Sequence, residues 1–468
     1  MTIQHLGLLL LAGEWMLRIG ALALVPRHRS PQAAQSWLLF IFFVPIPAAL
    51  IYALIGRARY PRWRRERFGR IAAWLSHFST RLERQETEPA LESELTRLAR
   101  TVGGMPPTSG NRIQLLDDYQ TVIDRLVEDI DGARERVYIL TYIFADDAVG
   151  RRVIDALSRA HARGVVCHVL FDSAGSHHWA RGTMRLLRRS GTIARAALPF
   201  HVVRRRTRGD MRNHRKLWVI DGSIGYIGSQ NIVDAGFRRG VVNQELVVRA
   251  EGPVAAAMAE VFLVDWYMET EQLLEEPPED RRPLGGGARA QLLPSGPGYD
   301  EQGYESLLVW QIHRAAARVT LTTPYFLPDE PLLSAIKSAV LRGVHVELIV
   351  SAIADQKLVG LAQRSYYEDL LAAGVHIHEY RDFLLHAKVV TIDETVAIIG
   401  SSNLDFRSFQ LNEEVSLLLL DAAVVRDVAA IQRGYVGRSS RLDLAAWLRR
   451  PKAQSFAEQV ARLLSPLL

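Results

Sequence analysis

Two stretches near the amino terminus are almost wholly apolar, Leu6 to Val25 and Trp37 to Ile55. Each is about as long as a helix that crosses a hydrocarbon core of roughly 30 Å. The second carries no charge, and Pro45 and Pro47 are expected only to kink it, so it reads as the better span. The first contains Glu14 and Arg18, whose i,i+4 spacing lets them pair on one helix face. Further along, short apolar runs alternate with amphipathic ones. Val137 to Ile143 reads as a strand, Ala148 to Arg163 as a helix ended by Gly164, and Val165 to Phe171 as the next strand. The second half repeats the order with Val319 to Thr323, a helix from about Pro331 to Arg342, and Val344 to Val350. Strand, helix and strand at this spacing indicate an α/β layered sandwich. The turn-forming Gly103 to Gly110 places the start of the folded part near Asn111, and Glu275 to Gly287 reads as a surface linker. The expected organisation is 1–56 as a transmembrane hairpin (helices about 6–25 and 37–55) and 57–110 as a basic juxtamembrane segment and linker. Domains at 111–274 and 291–468 follow, joined by a linker at 275–290.

Charge sharpens this picture. The net charge is +6, and Arg57, Arg59, Arg62, Arg64, Arg65, Arg67 and Arg70 against Glu66 account for all of it. A nucleic-acid binder keeps its excess on the domain that grips phosphates, so nucleic acid is not an expected partner. An arginine cluster just after an apolar stretch suits an anionic leaflet, and by the positive-inside rule it faces the cytoplasm. The loop at Arg27, His28 and Arg29 opposes this with fewer charges. No basic residue precedes the first apolar run, which argues against a cleaved signal peptide. The lone cysteine, Cys167, lies in an apolar run and reads as a buried small hydrophobe.

The chemistry lies in a repeat. His214, Lys216, Asp221, Gly228, Ser229 and Asn231 recur at the same intervals as His386, Lys388, Asp393, Gly400, Ser401 and Asn403. One His-x-Lys on a strand is usually an exposed polar pair; two copies in one register are not explained that way. Residues i and i+2 of a strand share a face, so each histidine and lysine point together. A turn at Asp221-Gly222 or Asp393-Glu394 then brings serine and asparagine back beside the histidine. Two such sets facing each other can attack a phosphodiester and protonate its leaving group without a metal. Gly-rich phosphate loops and Cys/His zinc spacings are absent, and His177-His178 reads as a loop feature.

At these residues the chain resembles the phospholipase D superfamily, with its paired His-x-Lys-x4-Asp motifs. Arg29 to Leu39, Thr323 to Glu330, Leu404 to Asn412 and Ala461 to Leu468 resemble the bacterial cardiolipin synthases within it. The resemblance implies two tandem phospholipase D-like α/β/α domains forming a pseudo-twofold dimer, with no cofactor. It implies a multi-pass protein of the bacterial inner membrane, catalytic domains on the cytoplasmic side, whose partners are anionic phospholipids. The implied reaction joins two phosphatidylglycerol molecules into cardiolipin and glycerol through a phosphohistidine. Hydrolysis by water, or phosphatidylethanolamine as donor, are the alternatives, and oligomeric state is left open. Lys216 and Lys388 would offset phosphate charge, helped by Ser229, Asn231, Ser401 and Asn403. The resemblance also implies a glutamate after each asparagine to orient an imidazole: Glu414 in the second half, beside His386, and Glu245 in the first. Asn243-Gln244-Glu245 departs from the stretch many such synthases carry. Asp221 and Asp393 have the opposite strand parity to their histidines and are expected to anchor the turn and lysine network. His214 is expected to be the nucleophile, because the amino-terminal histidine is phosphorylated in related proteins and Arg212 and Arg215 would disfavour its imidazolium. Finally, Phe456, Val460, Leu463 and Leu464 line one helical face, a spacing that signals docking on the domain's own core.

Overall fold

The computed structural model describes residues 3–29, 31–56, 61–84, 93–199, 210–275, 287–299 and 303–465. A single sheet of 15 strands runs through both halves. Its centre is the antiparallel pair Pro107–Leu116 and Ala288–Ser295. Outward from the first lie Val247–Glu251, Ile224–Gly228, Leu217–Ile220, Arg136–Thr141, Val166–Asp172 and Ile193–Ala197. Outward from the second lie Glu414–Leu419, Val396–Gly400, Val389–Ile392, Arg318–Thr322, His345–Ser351 and His376–Tyr380, with Ser439–Arg441 at the rim. The two lists correspond strand for strand, so the repeat folds as two like α/β units related by a pseudo-twofold at the seam. Helices cover both faces, which is why a strand such as Leu217–Ile220 is buried at every position instead of alternating.

The seam is packed around the helix Pro253–Thr270, whose Met258, Phe262 and Trp266 are buried with Leu292 and Leu417 from the other half. The folded part starts before Asn111. The strand opens at Pro107, a first-position proline that loses no ladder bond, and a bulge between Thr108 and Asn111 absorbs the run expected to be a turn. The expected linker falls largely on 276–286, outside the described residues.

Three apolar helices precede this body: α1 (Ile3–Leu24), α2 (Pro31–Phe43) and α3 (Pro45–Ile55). Among the described residues one helix, α1, is long and apolar enough to cross a membrane. The expected spanning hairpin is therefore corrected. The second apolar stretch breaks at Val44 into helices of 13 and 11 residues, because Pro45 and Pro47 lack the N–H groups that would continue α2. Glu14 and Arg18 do pair along α1, at 3.1 Å.

The helix α4 (Arg62–Arg84) packs on Pro253–Thr270 and corrects a second expectation. Arg64 is 1% exposed and bonds to Glu269 at 2.7 Å and Glu413 at 3.2 Å, while Arg67 reaches the Met268 carbonyl and Glu271. These two arginines are held by protein carboxylates, not by a lipid surface; Arg62, Arg65 and Arg70 remain exposed. The carboxy-terminal helix Lys452–Arg462 is also turned the other way. Glu458 and Ala461 face inward, Glu458 held by Arg450 at 2.9 Å, while Phe456, Val460 and Leu463 are exposed.

Candidate active site

Each histidine lies on an extended segment leading into a two-strand hairpin. Leu217–Ile220 pairs antiparallel with Ile224–Gly228, and Val389–Ile392 with Val396–Gly400, which returns Ser229 and Asn231, or Ser401 and Asn403, beside the imidazole. The extended segments themselves pair with the opposite half. The His214 amide donates to the Glu413 carbonyl at 2.9 Å, and the Glu413 amide to Arg212. In the mirror arrangement, the His386 amide donates to the Gln244 carbonyl at 2.8 Å, and Leu384 to Val242.

This pairing crosses the acid partners. His214 Nδ1 lies 3.1 Å from both oxygens of Glu414, and His386 Nδ1 lies 2.8 Å from both oxygens of Glu245. The sequence reading placed each glutamate with the histidine of its own half; the structure exchanges them. A strand alternates its side chains, so the residue after the one bonded to a histidine's backbone faces that imidazole. With Nδ1 held by carboxylate, each Nε2 is left to the cleft.

The sequence reading missed Asn243 and Asn412. Asn243 Nδ2 donates to Glu245 at 3.1 Å and Asn412 Nδ2 to Glu414 at 3.4 Å, and Ser401 Oγ adds a bond of 2.5 Å to Glu414. Their signal was available, since an Asn-x-Glu follows the motif in both halves, as Asn243 to Glu245 and Asn412 to Glu414. Arg215 was also undervalued. It is 1% exposed, donates to the Glu414 carbonyl and the Ser295 carbonyl, and pairs with Asp265. Alanine occupies the matching position 387.

Both histidines open onto one cleft of about 420 Å³, with Tyr142, Arg212, Asn231, Arg238, Tyr325, Asn403 and Arg407 around it. Three arginines against Asp405 give the walls a positive balance suited to an anion. Lys216 Nζ donates to the His214 carbonyl at 2.5 Å and sits 5.3 Å from the Tyr142 ring centre; Lys388 Nζ donates to the His386 carbonyl at 2.6 Å. Asn231 Oδ1 accepts from the Ile143 amide at 3.0 Å. Ser229 Oγ bonds to the Leu246 backbone and so fixes the segment that carries Glu245.

Burial dominates the electrostatics. It pulls both imidazoles down to about 4, against the opposing pull of Glu414 on His214 and Glu245 on His386. It pulls Lys388 down to about 8 and Lys216 well below the usual lysine value. Burial would raise Glu245 and Glu414, yet the charge and hydrogen bond of the paired histidine, with the nearby lysine, hold each below the ordinary carboxylate value. The surroundings do not separate the two imidazoles. Arg215 is taken up by Asp265 and Glu414 is bound to His214, so the charge argument for His214 as nucleophile falls.

Asp221 and Asp393 stand outside the cleft, a strand's length from the lysines. Asp221 accepts the amides of Arg134, Glu135 and Arg136, and Asp393 those of Ala316, Ala317 and Arg318. At φ 46° and 51° they clamp the turn before the neighbouring strand, as their parity implied, but touch neither lysine nor phosphate site. His177 and His178 lie side by side in a loop with their rings tilted by 38°, and Cys167 is buried with its thiol pushed up to about 12. One His/Glu group with donor atoms within 4.8 Å does exist, His345, Glu347 and His376, away from the cleft lining.

Fold and site together define a class, an α/β protein with two facing His–Glu pairs, each beside a buried lysine, an arrangement that can act on a phosphodiester. The family described as cardiolipin synthase, PLD-like domain, matches residues 126–266 and 308–433. Cardiolipin synthase A of Pectobacterium carotovorum is 36% identical over 98% of each chain, and that of Klebsiella pneumoniae 35% identical over the same shares. The crystal structure of a phosphatidylserine synthase from Haemophilus influenzae aligns with a TM-score of 0.61 over 80% of this chain and 100% of its own. At 14% identity that likeness speaks to the fold. The chain belongs to the cardiolipin synthase family of the phospholipase D superfamily.

Proposed function

We propose that this protein is a membrane phosphatidyltransferase that converts two phosphatidylglycerol molecules into cardiolipin and glycerol. The observation that carries the mechanism is that the histidines of two crossed His–Glu pairs open onto one positively lined cleft, each with a buried lysine two residues further along the chain. His214 Nε2 attacks phosphorus while protonated His386 donates to the departing glycerol oxygen, leaving a phosphatidyl group on His214. His386 then takes the proton from the hydroxyl of a second phosphatidylglycerol, whose oxygen attacks phosphorus and expels His214. The phosphodiester anion supplies the negative charge that favours a proton on one imidazole despite burial. Lys216, Lys388 and the asparagines Asn231 and Asn403 offset charge on the nonbridging oxygens. Glu245, Glu414, Ser229 and Ser401 act on the histidines, and Asp221 and Asp393 on the backbone. The choice of His214 as nucleophile rests on the resemblance to related proteins. We assign residues 111–274 and 291–468 to the two domains, each lengthened at its start to include the strands from Pro107 and from Ala288.

The apolar α1 and the family support a membrane-associated protein, and we take that membrane to be the bacterial inner membrane with the catalytic body on the cytoplasmic side, a reading favoured by the arginine excess that follows the apolar stretches. Purified protein mixed with phosphatidylglycerol vesicles tests the reading by lipid analysis. Cardiolipin with equimolar glycerol is expected. Phosphatidic acid with glycerol and no cardiolipin would make water the acceptor and the protein a hydrolase. Adding phosphatidylethanolamine and following ethanolamine release tests the other donor.

A further inference from the structure

Two full crossings would put the basic loop at Arg27–Arg29 and the arginines of α4 on opposite sides of the membrane, against the tendency of arginine to stay on one side. The amino-terminal helices are arranged so that this conflict does not arise. Trp37 on α2 and Tyr52 on α3 have ring centroids 5.1 Å apart. In a continuous helix those positions would be separated by about 22 Å. At the other end of the unit, Arg29 Nε donates to the Gly56 carbonyl at 2.7 Å. The helices α2 and α3 thus double back, and the chain enters and leaves the pair at one place.

The turn between them, at Val44, is apolar: Phe43 is 82% exposed, with Val44 and Ile46 also open. Arg18 reaches it from α1, its Nε donating to the Phe42 carbonyl at 3.2 Å while Glu14 neutralises the charge. A broken helix is tolerated in hydrocarbon only where freed carbonyls find donors, and Arg18 is such a donor. The helices α2 and α3 are about 20 and 17 Å long, short of the roughly 30 Å core, whereas α1 is about 33 Å. Beyond the level of the turn α1 continues with Leu8, Leu9, Leu10 and Leu11, each more than half exposed.

We propose that α1 alone crosses the bilayer and that α2 and α3 form a re-entrant hairpin. The hairpin is sheathed by acyl chains of the leaflet on the catalytic side. Arg27 to Arg29 and α4 then share one face, and the start of α1 lies on the other. This rests on the membrane placement proposed above.

The test uses full-length protein with Cys167 replaced by alanine and one new cysteine each at His5→Cys, Pro26→Cys, Phe43→Cys or the exposed Glu128→Cys. Sealed, inverted inner-membrane vesicles are treated with a membrane-impermeant maleimide, and cardiolipin formation checks that each variant is folded. Pro26→Cys and Glu128→Cys should label together, His5→Cys only after permeabilisation, and Phe43→Cys only after the bilayer is dissolved. Pro26→Cys labelling from the face opposite Glu128→Cys would restore two crossings and overturn the proposal. So would His5→Cys labelling together with Glu128→Cys, which would mean that α1 does not span. Release of the unmodified protein by alkaline carbonate would instead defeat the membrane placement itself, independently of the labelling pattern.

Discussion

Removing one glutamate tests the crossed pairing most directly. Glu245 is 2% exposed and holds His386 Nδ1 at 2.8 Å; Glu414 is fully buried and holds His214 at 3.1 Å. Substituting Glu245→Gln or Glu414→Gln keeps the shape and removes the charge. A hydrogen bond to a charged group contributes about 1.5–3 kcal/mol, so each variant should lose about 10- to 150-fold in turnover of phosphatidylglycerol. The two losses should differ in kind. In a phosphatidyl ester of p-nitrophenol the leaving group departs as the stable p-nitrophenolate anion and needs no proton, so the acid assigned to His386 becomes dispensable in the first step. Stopped-flow release of p-nitrophenolate should then return to near the wild-type rate in His386→Ala and in Glu245→Gln. It should stay depressed by about 10- to 150-fold in Glu414→Gln and vanish in His214→Ala. Rescue of Glu414→Gln together with His386→Ala would refute the crossing. Rescue of His214→Ala together with Glu414→Gln would keep the crossing and exchange the roles of the two histidines.

Burial lowers Lys388 to about 8, so its charge is present below that pH and lost above it. The kcat/KM profile should fall on its alkaline side near pH 8, and Lys388→Arg, which stays charged, should move that limb upward; an unmoved limb would assign it to another group. Arg64→Ala removes the buried guanidinium that pairs with Glu269 and with the buried Glu413, which should cost about 3–5 kcal/mol in a urea titration; an unchanged midpoint would show that α4 does not hold the seam. Activity should survive EDTA, since among the described residues no cluster of metal ligands lines the cleft; complete loss restored by one metal would contradict this. Deleting residues 1–56 should release the protein from washed membranes, with residual binding through Arg62, Arg65 and Arg70 that salt removes. Retention at high salt would point to the exposed Phe456, Val460 and Leu463 face.

The sequence by itself determined the two-unit α/β architecture, the paired His-x-Lys frames, and the turn-anchoring half of what was expected of Asp221 and Asp393, though not their expected link to the lysines. These are local properties: strand parity, interval and β-branched runs act over a few residues, so they are written in consecutive positions. Even Asn243 and Asn412 were legible as a repeated Asn-x-Glu frame. The partners of the histidines were not. Glu245 and His386 are far apart in the chain and meet because segments of opposite halves pair side by side across the seam, a register that no single half encodes. The arginines of α4 likewise look like a uniform basic cluster, and only the packing of the helix on Pro253–Thr270 decides that Arg64 is buried among carboxylates while Arg65 faces water. The amino-terminal apolar stretches show the same limit. Hydropathy measures length in residues, and Trp37 to Ile55 is long enough to span; Pro45 and Pro47 mark where it breaks, but that its two pieces double back shows only in the packing of Trp37 against Tyr52 and the bond from Arg18 on another helix to the carbonyl of Phe42. Local periodicity fixes what each segment is, and long-range pairing of backbone and charge fixes which segments share a site.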